Sequence, residues 1–125
     1  EVANFLSQHE KVTKVNYLGL IKEGTRAYEI YKKQYHGSGA MLSFEIEGGE
    51  AAAFKFLNSL KLIKLAVSLG STESLAEHPR TMTHAGIEDT QLDEMEITDS
   101  LVRLSVGVEN FKDIIWDITQ ALELV

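Results

Sequence analysis

Arg103 is the residue most able to do chemistry by type and setting. It stands in the run Leu101-Val102-Arg103-Leu104-Ser105-Val106-Gly107-Val108, whose alternation is that of a strand. Val102, Leu104, Val106 and Val108 share one face. Leu101, Arg103, Ser105 and Gly107 share the other. A long cation amid valines must reach water, a carboxylate partner or a ligand. One reading is an edge-strand arginine whose head snorkels into solvent. The other is a planar fork that holds a carboxylate in two parallel hydrogen bonds. The chain has only three arginines, Arg26, Arg80 and Arg103.

A second cluster runs Ser68-Leu69-Gly70-Ser71-Thr72-Glu73-Ser74, followed by His78-Pro79 and Met82-Thr83-His84. Hydroxyls and free N–H groups gathered beside an apolar strand can line a site. The same composition suits a plain turn. The four histidines are His9, His36, His78 and His84. None makes a metal pair by spacing, so they read as surface or loop-packing groups and no metal is expected. Gly48-Gly49 precedes a helix, but Glu47 and Glu50 flank it and would repel an anion. With no Cys there is no thiolate nucleophile, thiolate metal site or redox motif. The carboxylates are scattered, and their spacing identifies no acid–base pair.

These residues need a frame to hold them. The 125 residues suit one domain, with 44% hydrophobic and 25% charged residues as in ordinary globular chains. Twelve basic against nineteen acidic residues, a net charge of −7, is the wrong balance for a nucleic-acid partner. No apolar stretch is long enough for a membrane span, and a reducing, cytoplasmic setting is expected. The N-terminus has no signal-peptide pattern. It opens without Met inside a helical pattern, so a fragment or a processed chain is expected.

Periodicity predicts a helix to about His9 and a strand from Val12 to Tyr17 with its alternation broken at Lys14. A helix capped by Thr25 carries Ala27, Tyr28, Tyr31 and Tyr35. The clearest strand has Leu42, Phe44 and Ile46 on its apolar face, and Gly48-Gly49 turns the chain into a helix from Glu50 to about Leu62 with Phe54, Leu57 and Leu60 on one stripe. Short strands follow at Leu65–Ser68 and Ser74–Glu77, then a polar stretch over 80–98 with at most one helical turn. The strand Leu101–Val108 leads to a helix capped by Asn110, with Asp113 placed for a capping box. Phe111, Ile114, Ile115, Ile118 and Leu122 form its stripe. The class is α+β: a small, mainly antiparallel sheet with helices packed on one face.

Five motifs in order then carry a resemblance. They are Gly39-Ala40-Met41-Leu42-Ser43-Phe44-Glu45; Phe56-Leu57-Asn58-Ser59-Leu60-Lys61-Leu62; Ala66-Val67-Ser68-Leu69-Gly70 with Glu73-Ser74-Leu75 and His78-Pro79; Met82-Thr83-His84; and Leu101 to Glu109. Together they resemble the C-terminal domain of the trans-sulfuration enzymes, the fold-type I pyridoxal-phosphate enzymes of Cys and Met metabolism. The resemblance implies that Arg103 binds the substrate α-carboxylate, that Ser68 sits beside it, and that Thr83 supports Arg103. Met82 and His84 are implied to be structural. Val67 stands where cystathionine enzymes usually carry Glu, which favours a methionine γ-lyase-like substrate over cystathionine; a cystathionine γ-synthase or γ-lyase and an O-acetylhomoserine sulfhydrylase, which can also lack the Glu, are the alternatives. Tyr17-Leu18-Gly19-Leu20 departs from the usual Tyr-Pro-Gly-Leu.

The resemblance further implies a preceding domain that carries the cofactor lysine. No Ser-x-x-Lys occurs among the nine lysines here, so this chain holds no catalytic or cofactor-binding residue and alone is expected to be inactive. The implied partners are an amino-acid substrate, the remainder of the enzyme chain and further copies in a homotetramer. The alternative is a free-standing amino-acid-binding module that keeps Arg103, Ser68 and Thr83 without catalysis.

Overall fold

A computed structural model describes residues 1–125. The elements are α1 (Val2–Ser7), β1 (Val12–Asn16), a 3-10 turn at Leu18–Leu20, α2 (Arg26–Gln34), β2 (Met41–Ile46), α3 (Gly49–Ser59), β3 (Lys64–Leu65), β4 (Leu75–Glu77), α4 (Asp89–Glu94), β5 (Leu101–Ser105) and α5 (Phe111–Glu123). The strands form one sheet in the order β1-β2-β5-β4-β3. Three of its four pairings are antiparallel, and only β3 runs parallel to β4. The α+β class holds.

Strand alternation decides which side is core. Leu42, Phe44 and Ile46 of β2 and Val102 and Leu104 of β5 turn to one face, where Ala53, Phe56 and Leu57 of α3 and Ile114, Ile118 and Leu122 of α5 cover them. Phe44 and Phe56 meet edge to face, centroids 5.6 Å apart. α1 closes the end of this layer with Val2, Ala3 and Leu6. No helix is long and apolar enough to cross a membrane.

Several expected details shift, each for a visible reason. Lys14 breaks the alternation of β1 because a bulge lies there: Val12 pairs with Ile46 but Lys14 with Glu45. The extra residue lets Val12 and Val15, three apart, both pack on the core. The stripe of α3 runs through Ala52, Ala53, Phe56 and Leu57, while Phe54 stays partly exposed. Strand β5 ends at Ser105, and Val108 is 81% exposed. The stripe of α2 has no buried residue, although Thr25 caps that helix as expected, its Oγ1 accepting from Tyr28 N. Asn110 caps α5 alone: its side chain accepts from Lys112 N, and Asp113 contributes no return bond. At the β2–α3 turn Gly48 has φ +107°, and a Cβ there would lie 2.9 Å from that of Ala52.

Candidate functional site

The face of the sheet away from the helices carries a polar row. Antiparallel register sets Asn16 opposite Ser43, Ser43 opposite Arg103, and Arg103 opposite Glu77. Each is the outward member of its strand's alternation, so the row follows from the core pattern on the other side. Asn16 Nδ2 donates to Ser43 Oγ at 3.2 Å. Beside the row is an open depression of ≈ 330 Å³, lined by Ser43, Leu101, Arg103, Pro79 and His84 among others.

Arg103 is held from two sides. Its Nη1 lies 2.8 Å from Glu77 Oε1, and its Nη2 donates to the carbonyls of Val67 at 3.0 Å and Ser68 at 3.4 Å. The Arg103 side chain keeps 22% of its surface exposed, whereas that of Glu77 keeps 1%. Glu77 Oε1 also accepts from Thr83 Oγ1 at 3.1 Å. The other oxygen, Oε2, is buried and bonds to nothing. A guanidinium has five N–H donors; the two loop carbonyls take up Nη2, and the Nη1–Glu77 contact is an ion pair, so Arg103 keeps N–H donors for a ligand.

The loop that supplies those carbonyls is tied down at several points. Gly70 N donates to Ser105 Oγ at 2.9 Å, and Val108 N to Thr72 O at 2.9 Å. Glu109 grips the far end: its carboxylate accepts from Ser74 N at 2.6 Å and from Ser74 Oγ at 2.8 Å. Ser74 Oγ accepts in turn from Gly107 N at 2.9 Å. A Cβ on Gly107 would collide with Thr72 O and Glu109 Oε2, so the strand end and the loop meet this closely only at a glycine. Burial pushes the Glu109 carboxyl up, but the N–H of Ser74, its own N–H and the Ser74 hydroxyl outweigh that. The group sits below the ordinary glutamate value.

The expected site residues therefore gather on one face. Ser68 reaches Arg103 through its carbonyl, not its hydroxyl. Val67 does likewise, and it and Leu69 are among the exposed apolar residues, at 53% and 54%. Thr83 reaches Arg103 only by way of Glu77, and its hydroxyl also lies 2.9 Å from His84 Nδ1. His78 is fully buried. Its Nε2 faces the Asp99 carbonyl at 2.9 Å, which only accepts. Nε2 therefore donates there, and Nδ1 lies 2.8 Å from the Thr81 hydroxyl.

Sequence reasoning passed over Glu77, Ser105 and Glu109. A signal for Glu77 was present, since it is a lone acid closing the short apolar strand Leu75-Ala76-Glu77. The lone cation of another strand is its natural complement.

The model of the family "Cys/Met metabolism PLP-dependent enzyme" matches residues 1–123. The chain is 52% identical over 124 residues to the L-methionine gamma-lyase of Fusobacterium nucleatum subsp. nucleatum, covering 99% of this chain and 31% of that protein. It is 43% identical over 122 residues to the cystathionine gamma-lyase of Dictyostelium discoideum, covering 98% of this chain and 31% of that one. Among solved structures, metB of Corynebacterium glutamicum superposes with a TM-score of 0.86 at 44% identity, over 98% of this chain and 30% of that one. A Campylobacter jejuni structure described as an O-acetylhomoserine (thiol)-lyase gives 0.89 at 35% identity, over 98% of this chain and 29% of that one. That structure holds N'-pyridoxyl-lysine-5'-monophosphate. The chain thus spans about a third of the length of the relatives it matches.

Proposed function

The chain belongs to the pyridoxal-phosphate-dependent enzymes of Cys and Met metabolism, and from that premise we propose that it is the substrate-carboxylate domain of a methionine γ-lyase-like enzyme. The observation that carries this is Arg103: a partly exposed guanidinium on the open sheet face, oriented by Glu77 and two loop carbonyls, with N–H donors to spare. That is the donor set for an amino acid's α-carboxylate.

The residues present fit the substrate end of such a site rather than the cofactor end. On the open face Lys14 is engaged by Glu96 at 2.7 Å and Glu45 at 3.8 Å, and Lys64 near the site loop by Glu73 at 2.9 Å. The cofactor's lysine is assigned to the part of the relatives that this chain does not cover. When bound, pyridoxal phosphate supplies the electron sink that makes the substrate Cα–H acidic. This domain's share is orientation. Holding the carboxylate at Arg103 fixes the rotation of the Cα substituents, which decides which bond faces the cofactor plane.

The exposed Val67, whose carbonyl meets Arg103, offers an apolar surface for an uncharged γ-substituent such as a methylthio group. A homotetramer in the cytoplasm is the expected assembly. Turnover of methionine, cystathionine and O-acetylhomoserine by the full-length protein, followed through 2-oxobutanoate and thiol, tests the assignment. Methionine should give both products with the highest kcat/KM of the three. Failure to release thiol from methionine overturns it.

A further inference from the structure

Glu77 is harder to explain as a stabilising group than as a functional one. It is fully buried on a strand directly opposite Arg103. Its Oε1 serves both Arg103 and Thr83, while its Oε2 has no partner. A buried carboxylate half of whose acceptors go unused is a poor stabiliser, because the desolvation cost is met only in part. An apolar side chain opposite an apolar partner would fill the same space more stably. What Glu77 does achieve is geometric. It meets Nη1 from the β4 side while the carbonyls of Val67 and Ser68 meet Nη2 from the loop side. Two contacts on different terminal nitrogens fix the guanidinium plane as well as its position.

We infer that Glu77 is a positioning residue for the carboxylate site: it sets the guanidinium plane of Arg103, and Thr83 acts on Arg103 only through Glu77. This rests on the reading of Arg103 as the carboxylate clamp. The Thr83 hydroxyl has no bond to Arg103; it lies 3.1 Å from the same Oε1 that Arg103 uses, and its other neighbours are His84 Nδ1 at 2.9 Å and the Pro79 carbonyl at 3.4 Å. Glu77 also balances the arginine's charge, so the site draws a carboxylate by directed N–H groups more than by net charge. Any group that places an acceptor where Oε1 lies should serve, and an apolar one should not.

The test uses the full-length holoenzyme. Two readouts are taken for each variant: steady-state kcat and KM, and the inhibition constant of pentanoate, a carboxylate that lacks the α-amine and cannot react. Glu77→Leu should lower kcat/KM by about tenfold to a hundredfold, the scale of a misplaced positioning group, and weaken pentanoate in parallel. Glu77→Gln, which keeps an acceptor at the Oε1 position for the still-charged guanidinium, should recover most of this and remain within about threefold of the parent. Thr83→Val should cost a few-fold to about tenfold alone, the loss of one hydrogen bond to a carboxylate felt at Arg103 at second hand, and nothing further in the Glu77→Leu background.

The inference is overturned if folded Glu77→Leu leaves both readouts at parental values, or if the Thr83→Val loss persists in full on that background. Should Glu77→Leu not fold, a parental pentanoate constant in Thr83→Val overturns it instead. Arg103→Ala separates the two readings. If it leaves pentanoate inhibition unchanged, the clamp falls and this inference with it. If it abolishes inhibition while Glu77→Leu does not, only the role of Glu77 falls.

Discussion

Asp117 and Glu77 are both fully buried, on opposite sides of the sheet, and their surroundings differ completely. Asp117, on α5, accepts from three consecutive backbone N–H groups, those of Lys61, Leu62 and Ile63, at 2.8, 2.9 and 2.8 Å. Gln120 Nε2 adds a fourth bond at 3.0 Å. Both oxygens are used, and what they hold is the chain leaving α3 for β3. Glu77 uses one oxygen, for a side chain that faces the open side. A carboxylate satisfied by backbone amides builds the fold. One left half-satisfied beside an arginine is kept for what the arginine does. Burial alone does not distinguish the two; the accounting of partners does.

The sharpest way to break this contrast is to remove each group. Asp117→Ala strands three backbone donors in the core and should cost about 3–5 kcal/mol of stability, near the upper end for single substitutions. It should leave kcat/KM of the remaining folded enzyme close to parental. Denaturant unfolding with activity measured per folded molecule checks both halves. The pair Glu77 and Arg103 should behave in reverse. The double variant Glu77→Leu with Arg103→Met should lose turnover entirely yet unfold within about 1–2 kcal/mol of the parent, or above it, as apolar replacements of buried ion pairs do. A large stability loss in the double variant would place Glu77 with Asp117 as architecture.

A smaller effect concerns substrate choice. Val67→Glu should raise kcat/KM for cystathionine relative to methionine by about tenfold, because a carboxylate beside an uncharged γ-substituent is desolvated without a partner. An unchanged ratio removes Val67 as a determinant.

The mildest expected effect is on pH. Glu109 has a lowered folded pKa, so its grip on Ser74 contributes above the ordinary glutamate value of about 4.5 and is lost as pH falls through the folded value. The protection factors of the Ser68–Ser74 amides in the full-length enzyme should fall as pH drops through that folded value and stay flat between pH 6 and 8. Glu109→Gln should remove most of the acid step. An acid step of the same size in that variant assigns it elsewhere.

Much of the frame was readable in the residues because period and punctuation agreed. The alternation of Leu42, Phe44 and Ile46, the Gly48-Gly49 turn and the caps at Thr25 and Asn110 all appear in the structure. What one-dimensional patterns cannot hold is two-dimensional pairing. The β1 bulge is a mismatch of counts between two strands, invisible in either alone. The stripe of α3 turned because Ala53, Phe56 and Leu57 fit a helical face as well as Phe54, Leu57 and Leu60, and only packing against β2, β5 and α5 chooses between them. At the site, Arg103 was conspicuous as a lone cation, but Glu77 acquires meaning only from register, which sets the two side by side from positions 26 residues apart. Asp117 was hidden for the same reason, its partners lying more than fifty residues away on another element.

The claim that this domain grips the substrate by its carboxylate is tested most directly by a crystal structure of the full-length holoenzyme with pentanoate bound. Both carboxylate oxygens should lie about 2.7–3.0 Å from guanidinium nitrogens of Arg103, the range of charge-assisted bonds, with the Arg103–Glu77 contact retained behind them. A carboxylate bound elsewhere, with Arg103 still closed by Glu77 and the two loop carbonyls, would contradict the account.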